Sequence, residues 1–341
     1  MSGYTTPVRV GVLGTGRIGR MHAELLSGRV AGAALAAVYD ASPDRAGEVA
    51  ARLGVPATES AAELLGSAEV DAIAICTSTD THVDAVVAAA ATGKAIFCEK
   101  PISLELADVD RALAAVNRSG VLFQVGFNRR FDPSHQSVRE AVASGAIGDV
   151  HLVRISSRDP APPPLEYARG SGGIFLDMTI HDFDMARYVT GSDVVEVFAR
   201  GAVRITPELA ELGDIDTAVV TLVHESGALT VIDNSRQAVY GYDQRVEAFG
   251  SLGMAASENP LAHTGLVRTV DGTRTATLPY FFLERYVPSY LGQWDAFVTA
   301  IRHDLPAPVG GVDGRAPLVI GLAAKRSLDE GRPVRVDEIG K

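Results

Sequence analysis

Asp177 and His181 stand four residues apart, and Asp184 follows three further on. On a helix that spacing puts all three on one face. A carboxylate beside an imidazole fixes its tautomer and stabilises the imidazolium, which suits removal of a proton from an alcohol. The competing reading is a solvated His–acid pair, common on helices and worth little. The flanks oppose it: Ile174, Phe175, Met178, Ile180 and Phe183 make the segment apolar, and an Asp–His–Asp face in such surroundings calls for a function. Asp182 falls off that face and is expected in solvent or beside a neighbouring base. The same three side chains could face a metal, but no second His or Cys has matching spacing nearby, so no metal is expected.

A second chemistry-bearing stretch is Gly14-Thr15-Gly16-Arg17-Ile18-Gly19, which follows an apolar run and opens a helical pattern. In that setting Gly14 permits the tight turn. Gly16 lets the backbone approach a pyrophosphate, and Gly19 lets helix and strand pack closely. The N–H groups and dipole of the helix start, at Arg17 and Ile18, then face phosphates. Asp40 ends the next apolar run at the spacing expected of a ribose-binding acid. It argues for NAD over NADP, because a 2′-phosphate ~4 Å away would be disfavoured by about 4 kcal/mol at an effective dielectric of about 20. Arg45 softens that argument, since it could reach such a phosphate. Asp40 could equally cap the helix beginning near Pro43.

Lys100 lies two residues beyond a third apolar run, Ala95–Cys98, and just before Pro101. The C-terminal end of a parallel strand is where open α/β sheets bind ligands, and an ammonium there can stabilise alkoxide character. The Lys100–Pro101 bond is a candidate cis peptide.

The elements that must hold these residues are legible in outline. Strand-length apolar runs at Val8–Leu13, Ala33–Tyr39, Ala72–Cys76, Ala95–Cys98 and Val121–Val125 alternate with helical patterns. Continuous apolar strands separated by helices predict a doubly wound parallel sheet covered on both faces. After Gly126 the pattern changes to long alternating strands with a helix expected over Gly173–Val189. The fold class is therefore α/β, an N-terminal Rossmann domain (1–126) plus a C-terminal α+β domain (127–341) with a large, mostly antiparallel open sheet.

Composition bounds the rest. The 341 residues carry a net charge of −11, spread over both halves, which disfavours nucleic-acid and anionic-membrane partners. The longest apolar stretch, Val30–Tyr39, is far short of the ~20 residues that span a bilayer. Met1 to Val8 shows no charged-then-apolar leader. Two cysteines, Cys76 and Cys98, cannot form a disulfide framework and read as buried thiols in a reducing compartment. A cytoplasmic protein is expected.

Four segments carry a family resemblance over essentially the whole chain. Cys98-Glu99-Lys100-Pro101, Thr77-Ser78-Thr79-Asp80-Thr81-His82, Gly126-Phe127-Asn128-Arg129-Arg130-Phe131 and Gly172 to Asp184 resemble the glucose–fructose oxidoreductase/inositol dehydrogenase (Gfo/Idh/MocA) family. The last, with the proline-rich Arg158 to Pro164 upstream, is most similar to the inositol 2-dehydrogenase branch. The resemblance implies NAD-dependent oxidation of an inositol ring hydroxyl, most simply that of myo-inositol to its 2-ketone. It implies His181 as base, Asp177 as its support and Lys100 beside the reacting hydroxyl. Thr77, Ser78, His82 and Glu99 would join Gly14, Gly16, Arg17, Ile18, Gly19, Asp40 and Arg45 around the cofactor.

A cyclitol offers a ring of hydroxyls and no charge, so bidentate charged groups should bind it. Arg130, Asp159 and Asp184 are the candidates, with Arg129 an alternative to Arg130, and Tyr240, Tyr280 and Tyr286 are possible walls. His22 and His303 are expected on helix surfaces, and His135 without a partner. A homotetramer is implied. The alternatives are a dehydrogenase of another cyclitol or sugar, such as scyllo-inositol or an aldose, and a non-catalytic cofactor-sensing regulator.

Overall fold

The computed structural model describes residues 6–339. Residues 1–5, part of the stretch read for a leader, lie outside the described residues. The chain divides into two units, residues 1–128 with 290–315, and residues 129–289 with 316–341.

The first unit is a five-stranded parallel sheet in the order β2-β1-β3-β4-β5. Its strands are β1 (Val8–Leu13), β2 (Ala33–Tyr39), β3 (Ala72–Ile75), β4 (Ala95–Cys98) and β5 (Phe123–Val125). The crossovers carry α1 (Arg17–Leu26), α2 (Pro43–Leu53), α3 (Ala61–Gly66), α4 (Thr79–Ala90) and α5 (Leu106–Ser119). Val10, Val12, Ile73, Ile75, Ile96 and Phe97 are sealed from solvent, as continuous apolar strands between two helical layers require. The order reverses between β1 and β3, and such a switch opens a crevice at the strands' C-terminal ends. Residues 290–315, which a contiguous division at Gly126 leaves in the second domain, pack on this unit. Trp294 lies 4.6 Å and Phe297 6.0 Å from Phe97, centroid to centroid, because an amphipathic helix returning late in the chain finds this apolar surface.

The second unit is built on a seven-stranded sheet. Along the chain come α6 (Pro133–Ala143), β6 (Val150–Arg158), α7 (Leu165–Gly170), α8 (Gly173–Asp177), α9 (Ile180–Thr190), β7 (Val194–Ala202), β8 (Thr217–His224), β9 (Leu229–Ser235), β10 (Asp243–Gly250) and β11 (Gly253–Ser257). A hairpin of β12 (Leu266–Thr269) and β13 (Gly272–Thr275) follows, then α10 (Phe282–Arg285). Most of α11 (Val287–His303) and the start of α12 (Gly311–Glu330) fall in the stretch 290–315 counted with the first unit, and the rest of α12 and β14 (Val334–Arg335) complete the second. The sheet order is β11-β10-β6-β9-β8-β7-β14. Only β6 and β9 pair in parallel, with Arg158 opposite Ser235; the other pairings are antiparallel. One face of this sheet joins Val138 of α6, Phe183 and Val189 of α9 and Ile320 and Ala323 of α12 in a single core. The opposite face leaves Val219, Leu229, Phe249 and Met254 about half exposed.

The expected single helix over Gly173–Val189 is two helices. α8 stops at Asp177, and α9 starts at Ile180. Thr179 explains the break. Its N–H and its hydroxyl both bond the Ile174 carbonyl, at 2.9 and 3.1 Å, and its hydroxyl also reaches Asn234 Oδ1 at 2.6 Å. A hydroxyl inserted into the ladder is a known cause of such kinks. Gly172 and Gly173 have positive φ. A Cβ on Gly173 would lie 2.8 Å from Asp214 Oδ1, the oxygen that accepts the Ile174 N–H and so starts α8. Among the described residues no helix is long and apolar enough to cross a membrane.

Candidate active site

In the first unit the glycine-rich turn is built as its spacing implies. Gly14 has φ +93°, and a Cβ there would lie 2.7 Å from the Cys76 carbonyl carbon and oxygen and from the Thr77 nitrogen, all backbone. A Cβ on Gly19 would fall 1.9 Å from the Gly14 oxygen. Over Gly16 a Cβ would meet nothing within 4 Å. Gly16 also caps α1 with no side-chain hydrogen bond, so the helix start offers its N–H groups to a ligand. Open space over the N–H end of a helix fits a pyrophosphate. Arg17 is exposed and Ile18 half-buried at that helix start.

Asp40 is the latch of this turn. Its Oδ2 accepts from the Thr15 N–H at 2.7 Å and the Thr15 hydroxyl at 3.1 Å. Its Oδ1 accepts from the Ser42 N–H at 2.8 Å and from Arg45 Nη2 at 2.8 Å. Burial pushes this carboxyl up, but the N–H groups of Ser42 and Thr15 and the Arg45 guanidinium outweigh it and hold it below the usual carboxylate range. Asp40 thus ties the turn to the start of α2. Arg45, considered as a phosphate ligand, is engaged by Asp40.

The loops after β3 and β4 hold the remaining cofactor candidates. Thr77 is half-buried and Ser78 exposed; the Thr81 hydroxyl bonds the Thr77 hydroxyl at 2.7 Å. His82 is 2% exposed, with Nδ1 2.9 Å from the Pro101 carbonyl and Nε2 3.0 Å from that of Thr77. It therefore sits between the two loops instead of lining their surface; burial keeps its pKa below the usual value, and the neutral ring donates its one N–H to one of the two carbonyls. The Lys100–Pro101 peptide is cis, and Lys100 is half-buried.

Glu99 is buried. Its Oε1 meets His22 Nε2 at 2.8 Å, and its Oε2 accepts from the Lys100 N–H at 3.2 Å. His22 contradicts its expected place on a helix surface, being wholly buried. The Trp294 indole N–H donates to its Nδ1 at 2.9 Å. That donor leaves the ring proton on Nε2, aimed at Glu99. A residue 272 positions away along the chain sets this tautomer.

In the second unit, Asp177 and His181 flank the break between α8 and α9, not one continuous helix, so the four-residue rule does not by itself bring them together. Asp177 accepts from the Tyr167 hydroxyl at 2.8 Å and from Arg236 Nη1 at 3.2 Å. His181 is half-buried, on the first turn of α9. Sequence reasoning missed Arg236, which is 1% exposed; a lone Arg after an alternating strand gives no local signal.

The polar candidates are paired tightly. Arg130 Nε bonds Asp184 Oδ2 at 2.9 Å and its Nη2 bonds Oδ1 at 2.6 Å, a bidentate fork. Asp182, expected in solvent or beside a neighbouring base, takes the second place and is wholly buried. It accepts from Arg129 Nη1 at 2.7 Å and from Asn234 Nδ2 at 2.8 Å, because α9 turns that face onto the sheet. Arg129 is buried too and also reaches the Ser157 hydroxyl at 3.0 Å, so of the two arginines Arg129 is the interior one. Asp159, at the end of β6, is pushed up to about 6 by burial.

Tyr240 and Tyr280 are exposed and Tyr286 buried. His135, expected without a partner, has one in the Ser257 hydroxyl at 2.9 Å. Among the described residues no group of three or more His, Cys, Asp or Glu could hold a metal ion.

Comparison with known proteins gives a consistent picture. Residues 8–127 match the model of the GFO/IDH/MocA oxidoreductase family, NAD-binding Rossmann fold, and residues 135–256 the GFO/IDH/MocA C-terminal domain. The chain is 50% identical to the myo-inositol 2-dehydrogenase of Thermotoga maritima, over 97% of this chain and 99% of that one. It is 45% identical to the inositol 2-dehydrogenase of Rhizobium meliloti, over 96% and 99%. It superposes with a TM-score of 0.91 and 28% identity on the scyllo-inositol dehydrogenase of Lactobacillus casei with bound NAD(H) and scyllo-inositol, over 97% of this chain and all of that one.

Proposed function

Given that the chain belongs to the GFO/IDH/MocA family of NAD-binding oxidoreductases, we propose that it oxidises myo-inositol at the 2-hydroxyl to 2-keto-myo-inositol (scyllo-inosose). The observation that carries this substrate is the 50% identity, over nearly the whole of both chains, to a myo-inositol 2-dehydrogenase. The residues supply the chemistry. His181 takes the hydroxyl proton as general base. Asp177 supports the imidazolium that results, as an orienting carboxylate does. The Lys100 ammonium stabilises the developing alkoxide. NAD, when bound, accepts the hydride from the same carbon.

Gly14, Gly16 and Gly19 shape the cradle for the cofactor, with Arg17 and Ile18 at its helix start. Asp40 binds the adenosine ribose, with Arg45 beside it, and Thr77, Ser78, His82 and Glu99 border the cofactor from the loops after β3 and β4. Arg130, Asp159 and Asp184 bind the polyol, Arg130 and Asp184 acting as one pre-organised fork. The protein works in the cytoplasm, in myo-inositol breakdown. It works there as a homotetramer whose partners cover the open sheet face that exposes Val219, Leu229, Phe249 and Met254.

A second reading, scyllo-inositol as the better substrate, is favoured by the likeness to the Lactobacillus casei chain. A purely regulatory protein has no need of Lys100, Asp177 and His181 together. NAD reduction measured with a panel of myo-inositol, scyllo-inositol and aldoses separates the three. The largest kcat/KM is expected with myo-inositol. A larger value with scyllo-inositol or an aldose replaces the substrate, and no reduction with any of them removes the enzymatic reading.

A further inference from the structure

Arg236 follows β9 directly. Its backbone N–H bonds the Asp216 carbonyl at 2.9 Å, and its side chain is 1% exposed. Nη1 holds Asp177 Oδ2 at 3.2 Å. Among the described residues, neither Nε nor Nη2 has a hydrogen-bond partner. A buried guanidinium with unpaired N–H groups is unfavourable, and such a group in a native fold asks for an explanation. The parallel register that sets Arg158 opposite Ser235 carries on one step, placing Asp159 beside Arg236. Backbone bonds fasten Asp159 there: its N–H to the Ser235 carbonyl at 2.9 Å, and the Ala238 N–H to its own carbonyl at 2.7 Å. A cation that is only partly quenched thus sits between two carboxylates, one of them a residue assigned to the proton transfer.

We propose that Arg236 is a positioning residue for the dehydrogenation: it orients Asp177 and supplies the positive field under which the Asp159 and Asp177 carboxylates work together. This rests on the reading of Asp177 and His181 as the proton-handling residues. Among the described residues, the other charged and titratable groups facing the pair include Arg129, Asp182, Tyr167 and Tyr242. Burial lifts Asp159, Arg236 and Arg129 pull it back, and Asp177 and Asp182 push it up again. Removal of Arg236 therefore favours the protonated form of every acid or base near it, while removal of the Asp159 charge does the opposite.

The test is the acid limb of kcat/KM for myo-inositol against pH, with NAD saturating. In R236M the limb should move up by about one pH unit, the effect of deleting a close opposite charge. R236K should leave it within a few tenths of the parent, and D159N should move it down. KM for NAD should stay within about twofold in all three, which separates the effect from general loosening. A limb that stays in place in R236M makes Arg236 a structural cation only and overturns the proposal. Should R236M fail to fold, R236Q is read in its stead, and should neither fold, a limb unmoved in D159N overturns it. H181A distinguishes the two levels: retained turnover there sinks the parent reading and the proposal with it, whereas turnover lost in H181A with an unmoved limb in R236M sinks the proposal alone.

Discussion

At the scale of single residues, the chemistry depends on groups fixed by neighbours that are near in sequence on one side and remote on the other. Gly14, Gly16, Gly19 and Asp40 are readable because their partners follow within one strand–helix–strand unit, and the turn meets Asp40 through the Thr15 N–H at 2.7 Å. His22 was not readable, because Trp294 and Glu99 reach it from distant elements. Arg236 was hidden for the same reason. His181→Ala should lower kcat by roughly 10²–10⁴, the usual contribution of a general base. NAD affinity, measured by fluorescence titration, should be nearly unchanged, since a general base acts on the hydroxyl proton of the substrate. A turnover within a few-fold of the parent would remove His181 from its role.

At the scale of elements, the break between α8 and α9 is the feature that the periodicity of the sequence conceals. No Gly or Pro marks it, and Ile174, Met178, Ile180 and Phe183 continue an apolar stripe across it. Thr179 creates it by bonding back to Ile174 and across to Asn234. Asn234 in turn holds Asp182, so the kink, the sheet and the Arg129 ion pair are one connected network. Thr179→Val keeps the volume but removes both hydroxyl bonds and strands the Asn234 oxygen. We expect a loss of about 1–3 kcal/mol, read from the urea midpoint. A drop in kcat should accompany it, because the segment that carries His181 starts at this residue. Unchanged stability with unchanged kcat would show that the kink persists without its hydroxyl. The alternation of strand and helix in the first unit was legible throughout, as each strand is a short apolar run between polar turns. The late return of residues 290–315 was not, since an amphipathic helix does not say which sheet it will cover.

At the scale of the whole molecule, acid sensitivity follows from buried histidine. His135 is 1% exposed, and burial brings its pKa down to about 4 from 6.5. Between those values the unfolded chain binds a proton that the folded chain refuses, so stability rises with pH across the window. The contribution is present in full above pH 6.5 and lost as pH falls through 4. Its size is at most about 3 kcal/mol. Asp159, raised to about 6, acts with the opposite sign, and a comparison of variants isolates the two. His135→Gln should flatten the fall of the thermal midpoint between pH 6.5 and 4 relative to the parent, and an identical slope in both would place the acid sensitivity elsewhere. The charge of −11 adds no partner to this account, for the buried or nearly buried cations Arg129, Arg130 and Arg236 are each paired with a carboxylate of the same unit.

The Asp40–Arg45 pair has an evolutionary reading as well. A chain that changes its nicotinamide cofactor must both shed a repelling anion and acquire a cation, two innovations that usually arise separately. Here the second is already present and is merely occupied by the first. Replacing Asp40 with Ser would delete the carboxylate and release Arg45 at the same position. The ratio of kcat/KM with NADP to that with NAD should then climb roughly a hundredfold, at some loss of total activity because the Thr15 N–H loses its acceptor. By this measure, the distance from one cofactor economy to the other is a single residue, and a ratio that does not move would mean that the barrier lies in the loop and not in the charge.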